Sequence, residues 1–107
     1  MNISRFEVWV VALDPTRGSE IAKTRPCVVI SPDSVNRFLN TVMIAPLTST
    51  QKPYPTRVNC QFNNRDGQVA LDQARSVDKV RLTKQIGQLN DLVCQQICST
   101  LIALFTY

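Results

Sequence analysis

Three clusters of polar side chains stand at the ends of apolar runs. Glu20 and Arg25 lie in the polar loop within residues 13–31, LDPTRGSEIAKTRPCVVIS. Thr48, with Ser49 and Thr50, follows the apolar run TVMIAPL at 41–47. Asp72, Gln73 and Arg75 follow QVAL at 68–71. Strand ends present side chains at a rim while the strands hold the backbone firm. If these rims meet, Glu20 can accept a proton. Arg25 can hold negative charge on a phosphate with its planar fork of donors. Thr48 can donate a hydroxyl hydrogen bond to a non-bridging oxygen. Such a set suits cleavage of RNA without a metal ion, the ribose 2′-hydroxyl attacking the adjacent phosphorus. DNA lacks that nucleophile. A rim salt bridge between Glu20 and Arg25, of little energetic value, fits the same residues, and spacing alone does not choose between them.

The chain of 107 residues contains no histidine. Hydrolases of the Ser-His-Asp or Cys-His kind are thereby excluded. The four cysteines, Cys27, Cys60, Cys94 and Cys98, include no C-x2-C pair, so no metal site is expected. Free thiols in a reducing compartment are the plainer reading, with no cofactor. Net charge is +4, an excess spread along the chain that allows weak attraction to nucleic acid. Arg17, Lys23, Lys52, Arg57 and Arg65 can attract a phosphate backbone, and Lys79, Arg81 and Lys84 a nucleic acid, a partner or only water. Phe38 and Tyr54 can stack on bases or cover the core edge. The start, MNISRFE, is not an export signal, and no apolar run has membrane-spanning length. A cytoplasmic protein without membrane contact is expected.

The elements that must position these groups are short. FEVWVVAL at 6–13 reads as a first strand, almost continuously apolar and so central or covered on both faces. CVVIS at 27–31 reads as a second strand, stopped by Pro32 and Asp33. Pro26 steers Arg25 toward an extended backbone at its mouth. Residues 34–40 make one or two helical turns. The run 41–47 is a third strand, in which Pro46, lacking an amide proton, argues against an interior ladder position. Residues 56–62 alternate as a half-exposed strand, and NNRDG at 63–67 signals a turn. QVAL at 68–71 is a short strand, and the chain runs extended from Asp72 to Val77. Another short strand carries Ile86 and Leu89. Asn90 caps a final helix over about 91–104, whose apolar stripe of Leu89, Leu92, Val93, Ile97, Leu101, Ile102 and Phe105, widened by Cys94 and Cys98, is expected to bury against the sheet. Short strands, turn signals and one terminal helix make a small barrel-like β fold in a single domain, 1–107. Pattern alone suits an OB or an SH3-like barrel.

The stretches DPTRGSE at 14–20, TRPCVVIS at 24–31, NRF at 36–38, APLTS at 45–49 and LDQARSVDKVRL at 71–82 occur together in one order. In this the chain resembles the MazF/PemK/Kid family of toxin endoribonucleases, over nearly its whole length. The resemblance implies an SH3-like barrel of the CcdB/MazF type with a C-terminal helix, and a homodimer. It implies sequence-specific cleavage of single-stranded mRNA to a 2′,3′-cyclic phosphate and a 5′-hydroxyl. It also implies a cognate antitoxin whose C-terminal segment covers the RNA groove. Arg25 falls on the catalytic arginine of the TRP motif and Thr48 on the phosphate-binding threonine. Glu20 matches the acidic residue of GSE, and Asp72 an aspartate assigned to catalysis in the plasmid-borne branch. Arg17, Ser19, Lys23, Ser49, Lys52, Tyr54, Gln73 and Arg75 are the side chains expected on the RNA. The plasmid branch carries a histidine where this chain has Ser19 and a catalytic arginine where it has Ala70, so its acid–base assignment does not transfer. Ser19, Arg25 and Thr48 resemble the chromosomal bacterial branch instead. The alternative is a non-catalytic module of the same fold, a gyrase-binding toxin or an RNA-binding protein, since fold alone does not settle function.

Overall fold

The computed structural model describes residues 2–13 and 23–107. Seven antiparallel strands form one curled sheet: β1 Glu7–Ala12, β2 Thr24–Val29, β3 Thr41–Thr48, β4 Arg57–Phe62, β5 Arg65–Ala70, β6 Arg75–Asp78 and β7 Leu82–Gln88. Their order is β4-β5-β3-β2-β1-β7, with β6 also on β3. A four-residue helix, α1 (Asp33–Asn36), links β2 to β3, and α2 (Asp91–Phe105) ends the chain. Three-residue 3₁₀ turns at Leu71–Gln73 and Lys79–Arg81 flank β6.

The side-chain period of two sorts the apolar residues into two clusters. Val8, Val28, Ala45, Leu47, Val58, Val69 and Leu71 form the first, with Leu89, Val93 and Ile97 from α2 and the residue before its cap. Trp9, Val11, Cys27, Val29, Val42, Ile44 and Val77 form the second, on alternate positions of the same strands. That is why β1 and β2 read as continuous apolar runs: both of their faces are covered. The sheet closes where β7 meets β4. A Cβ at Gly87 would stand 2.8 Å from the Phe62 ring, so only glycine permits this approach.

Turn and cap chemistry match the sequence. Asn63 and Asn64 both have positive φ, 51° and 61°, and join β4 to β5 in a two-residue turn of the kind asparagine tolerates. The strand after it therefore starts at Arg65, three residues before the QVAL run. Asn90 caps α2, its side-chain oxygen accepting from the Val93 amide at 3.0 Å, and Asp91 occupies the first turn.

Pro46 departs from expectation. It is buried inside β3 and pairs with Cys27 of β2. On its other edge, β3 pairs with β6 through Ile44 and with β5 from Leu47 onward. Pro46 falls in the gap between these partners, where no ladder bond needs its missing N–H. β2 also starts earlier than CVVIS, because Thr24, Arg25 and Pro26 pair with β1. The extended stretch expected from Asp72 begins instead as the 3₁₀ turn, with β6 starting at Arg75.

Candidate active site

Arg25 and Thr48 come from neighbouring strand ends. In β2 and β3, Cys27 faces Pro46 and Val29 faces Ile44. Arg25 lies two residues before Cys27 and Thr48 two residues after Pro46, so the β2–β3 pairing brings the two strand ends together. Both line a groove of about 700 Å³ at the mouth of the first apolar cluster, with Pro26, Leu47, Ser49 and Thr50. The β4–β5 hairpin supplies Phe62, Asn63, Arg65 and Asp66, and β7 supplies Ile86. The floor is thus apolar and the rim carries two guanidinium groups and three hydroxyls.

Thr48 is held in a defined state. Its hydroxyl oxygen accepts a hydrogen bond from the Thr50 amide at 3.1 Å, a local turn that fixes the side chain. With a lone pair so engaged, the hydroxyl hydrogen is available to donate to a ligand. Its backbone is fixed as well, since Thr48 pairs with Gln68 on β5 and a Cβ at Gly67 would come within 2.9 Å of the Thr48 carbonyl oxygen. Arg25 is half-buried and has no acidic partner among the described residues. A half-buried guanidinium at a groove rim offers a planar fork of donors to an anion. Beneath it, burial pushes the Cys27 thiol up to about 11, while Arg25 and Arg75 pull it down. At neutral pH that thiol is protonated and inert.

Asp72 stands apart from the groove lining. Arg57 donates to it from Nε at 2.8 Å and from its second nitrogen at 3.3 Å, and the Thr56 hydroxyl adds a bond at 3.1 Å. The Arg57 hydrogen bond holds the Asp72 carboxyl below the usual carboxylate range. A carboxylate tied this way is a weak proton acceptor and a good anchor. Arg57, one of the cations expected to attract phosphate, is spent on this pair and on the face of Tyr54, 5.3 Å from the ring centre.

The other expected residues divide. Ser49 lines the groove. Lys23, Lys52 and Tyr54 are exposed, Lys23 just before β2 and the other two on the loop after β3. Gln73 and Arg75 are exposed beyond the lining. Phe38 is also exposed and away from it. Arg17, Ser19 and Glu20 lie outside the described residues. Sequence reasoning did not place Phe62, Asn63, Asp66 and Ile86 at the site. The signal for the hairpin was the NN pair, which fixes a two-residue turn and so the reach of β4 and β5 over the groove.

Residues 4–105 match the family of PemK-like, MazF-like toxins of type II toxin–antitoxin systems. The chain is 34% identical over 103 residues to the endoribonuclease EndoA of Bacillus subtilis (strain 168), covering 91% of this chain and 89% of that protein. Among solved structures, MazF from Deinococcus radiodurans superposes with a TM-score of 0.78 at 25% identity, over 97% of this chain and 96% of that one. MazF in a MazE–MazF crystal structure from the same organism gives 0.81, also at 25% identity and with the same coverage. A mycobacterial endoribonuclease in complex with its cognate antitoxin shares the fold at 21% identity, with a TM-score of 0.81 over 98% of both chains. The chain belongs to the family of PemK-like, MazF-like toxins of type II toxin–antitoxin systems, and it is an RNA-cleaving endoribonuclease.

Proposed function

We propose that the groove binds single-stranded RNA and that Arg25 and Thr48 act together on the scissile phosphate. The observation that carries this reading is that Arg25 and Thr48, from neighbouring strand ends, line one groove. In the reaction, the ribose 2′-oxygen forms a bond to the adjacent phosphorus as the bond from phosphorus to the 5′-oxygen breaks. The products are a 2′,3′-cyclic phosphate and a 5′-hydroxyl. The 2′-hydroxyl loses its proton and the departing 5′-oxygen gains one. Negative charge grows on the non-bridging oxygens, and the Arg25 guanidinium and the Thr48 hydroxyl are the donors placed to oppose it. Such donors accelerate a reaction when they bind the transition state more tightly than the substrate. Glu20 is the proposed proton acceptor. Asp72, tied to Arg57 and Thr56, serves the loop rather than the proton transfer.

The nucleophile belongs to the substrate, so the reaction asks for no metal-bound water. The test is cleavage of a long single-stranded RNA in excess chelator, with the ends mapped. Cyclic phosphate and 5′-hydroxyl ends, with a DNA copy left intact, are the expected result. Ends carrying a 5′-phosphate would refute this chemistry.

We also propose a homodimer and an antitoxin partner that competes for the groove. Leu92, Ile102 and Phe105 on α2 are 66%, 68% and 76% exposed, more apolar surface than a solvated helix face needs. The Deinococcus and mycobacterial relatives have structures in complex with their antitoxins. Among the described residues no helix is long and apolar enough to cross a membrane. Sedimentation at micromolar concentration should give a dimer, and a monomer there would count against the pairing.

A further inference from the structure

β5 carries a buried polar side chain that the chemistry above leaves unused. Gln68 is 5% exposed and sits between Thr48 of β3 and Asn59 of β4. Its carboxamide reaches out of the sheet to the loop 49–56. The side-chain oxygen accepts from the Lys52 amide at 3.0 Å. The side-chain nitrogen donates to the Lys52 carbonyl at 3.1 Å and to the Asn59 side-chain oxygen at 2.9 Å. Gln68 thus binds the Lys52 backbone in both directions, as a neighbouring strand would, and Asn59 fixes which way the carboxamide faces.

The rest of that loop is tied in sequence. Pro53 and Pro55 restrict the backbone on either side of Tyr54. At the far end, Thr56 and Arg57 hold Asp72, and the Leu71 amide donates to the Thr56 carbonyl at 3.2 Å. The near end is Thr48, already at the groove. Tyr54 is tied separately, its carbonyl accepting from the Arg57 amide at 3.1 Å, so among the described contacts the Gln68 clamp is what bonds Lys52 to the sheet.

We propose that Gln68 is a positioning residue for substrate choice: by clamping the Lys52 backbone it presents the Lys52 side chain to the RNA beside the cleaved phosphate. The inference rests on the groove being the RNA site. It predicts an effect on binding and on sequence preference rather than on the chemical step, because the β3–β5 ladder and the Thr50 amide hold Thr48 independently.

The test uses the full chain with Gln68→Met, which keeps length and removes all three bonds. The bared Lys52 groups lie on an exposed residue and can turn to water, so the fold should survive. Asn59→Ala, at an exposed position, loosens the same carboxamide without touching the core and serves as the second variant. Three quantities are read: hydrogen exchange of the Lys52 amide, kcat and KM on an RNA with the preferred site, and the rate ratio between that site and single-base variants. Gln68→Met should speed Lys52 exchange and raise KM about tenfold, the size of one to two net hydrogen bonds. It should leave kcat nearly unchanged and lower the preference ratio by a similar factor. Asn59→Ala should move each quantity the same way, by less. Unchanged Lys52 exchange would overturn the clamp. Fast exchange with wild-type KM and preference would overturn the link to recognition, as would a loss confined to kcat. A wild type that cuts no RNA would sink the functional reading instead, and the exchange measurement would still decide the clamp.

Discussion

At one mouth of the barrel, Leu89, Val93 and Ile97 seal the apolar interior; at the other, Arg25, Thr48 and Ser49 leave it open. β5 joins the two, running from Arg65 at the groove to the Leu71 turn that contacts α2. At the sealed mouth the helix is capped by Asn90, and Ile97 is fully buried. The open mouth holds a guanidinium without an acidic partner among the described residues and a hydroxyl whose hydrogen is unspent. The two mouths should therefore respond to substitution in opposite ways.

The largest effect belongs to the open mouth. Arg25→Ala should lower cleavage on the order of 10²–10³, as expected when one preorganised donor is removed, with little change in melting temperature. Arg25→Lys should also be poor, because a point charge does not reproduce the planar fork. At the sealed mouth, Ile97→Ala should cost about 2–5 kcal/mol of stability, while the folded fraction keeps its cleavage rate. Parallel activity and denaturation curves check both. A smaller effect lies between the mouths. Gly67→Ala would press a methyl group against the Thr48 carbonyl oxygen and displace Thr48, with a strain cost of about 1–3 kcal/mol. Cleavage should fall more in this variant than in an alanine substitution at exposed Gln61.

The smallest effects depend on pH. Asp72 has a depressed pKa, first through its Arg57 hydrogen bond, so its contribution is present above the ordinary carboxylate value and lost as pH falls through the depressed one. The stability gap between the wild type and Asp72→Asn should close in acid and be fully open at neutral pH. Cys27 behaves oppositely. Its raised pKa favours the folded state below about 9, and that contribution is lost as pH rises through about 11. At neutral pH, Cys27 should label with a thiol reagent only when the protein unfolds.

These contrasts also explain which parts of the structure could be read in advance. The capped helix was legible because its signals, Asn90 and Asp91, are local, but its apolar stripe overstated the buried face: Val93 and Ile97 are buried, while Leu92, Ile102 and Phe105 are exposed. Alternation and turns were enough for the strands and a small barrel-like fold, but they left OB and SH3-like barrels open, and the strand order depends on long-range pairing that no local pattern carries. Pro46 misled because a one-residue rule assumes two ladder partners, whereas β3 changes partner at that point. Arg25 and Thr48 were legible as strand-end residues, but their meeting at one groove rests on a strand pairing that no local signal carries. Asp72 and Gln68 were less legible still. Asp72 meets Arg57 and Gln68 meets Lys52 across separations of 15 and 16 residues, and the polar types alone do not say that one is tied and the other clamping.

The central claim is that Arg25 and Thr48 act on one phosphate as a unit. The most direct measurement is a double-mutant cycle on single-turnover cleavage of one RNA in excess chelator. It compares the wild type, Arg25→Ala, Thr48→Ala and the double variant, each shown to be folded. Groups that share a transition state are non-additive. The account predicts that each single variant loses most of the rate and that the double variant loses far less than the product of the two. Single variants that cut at the wild-type rate, or losses that multiply as independent factors, would contradict it.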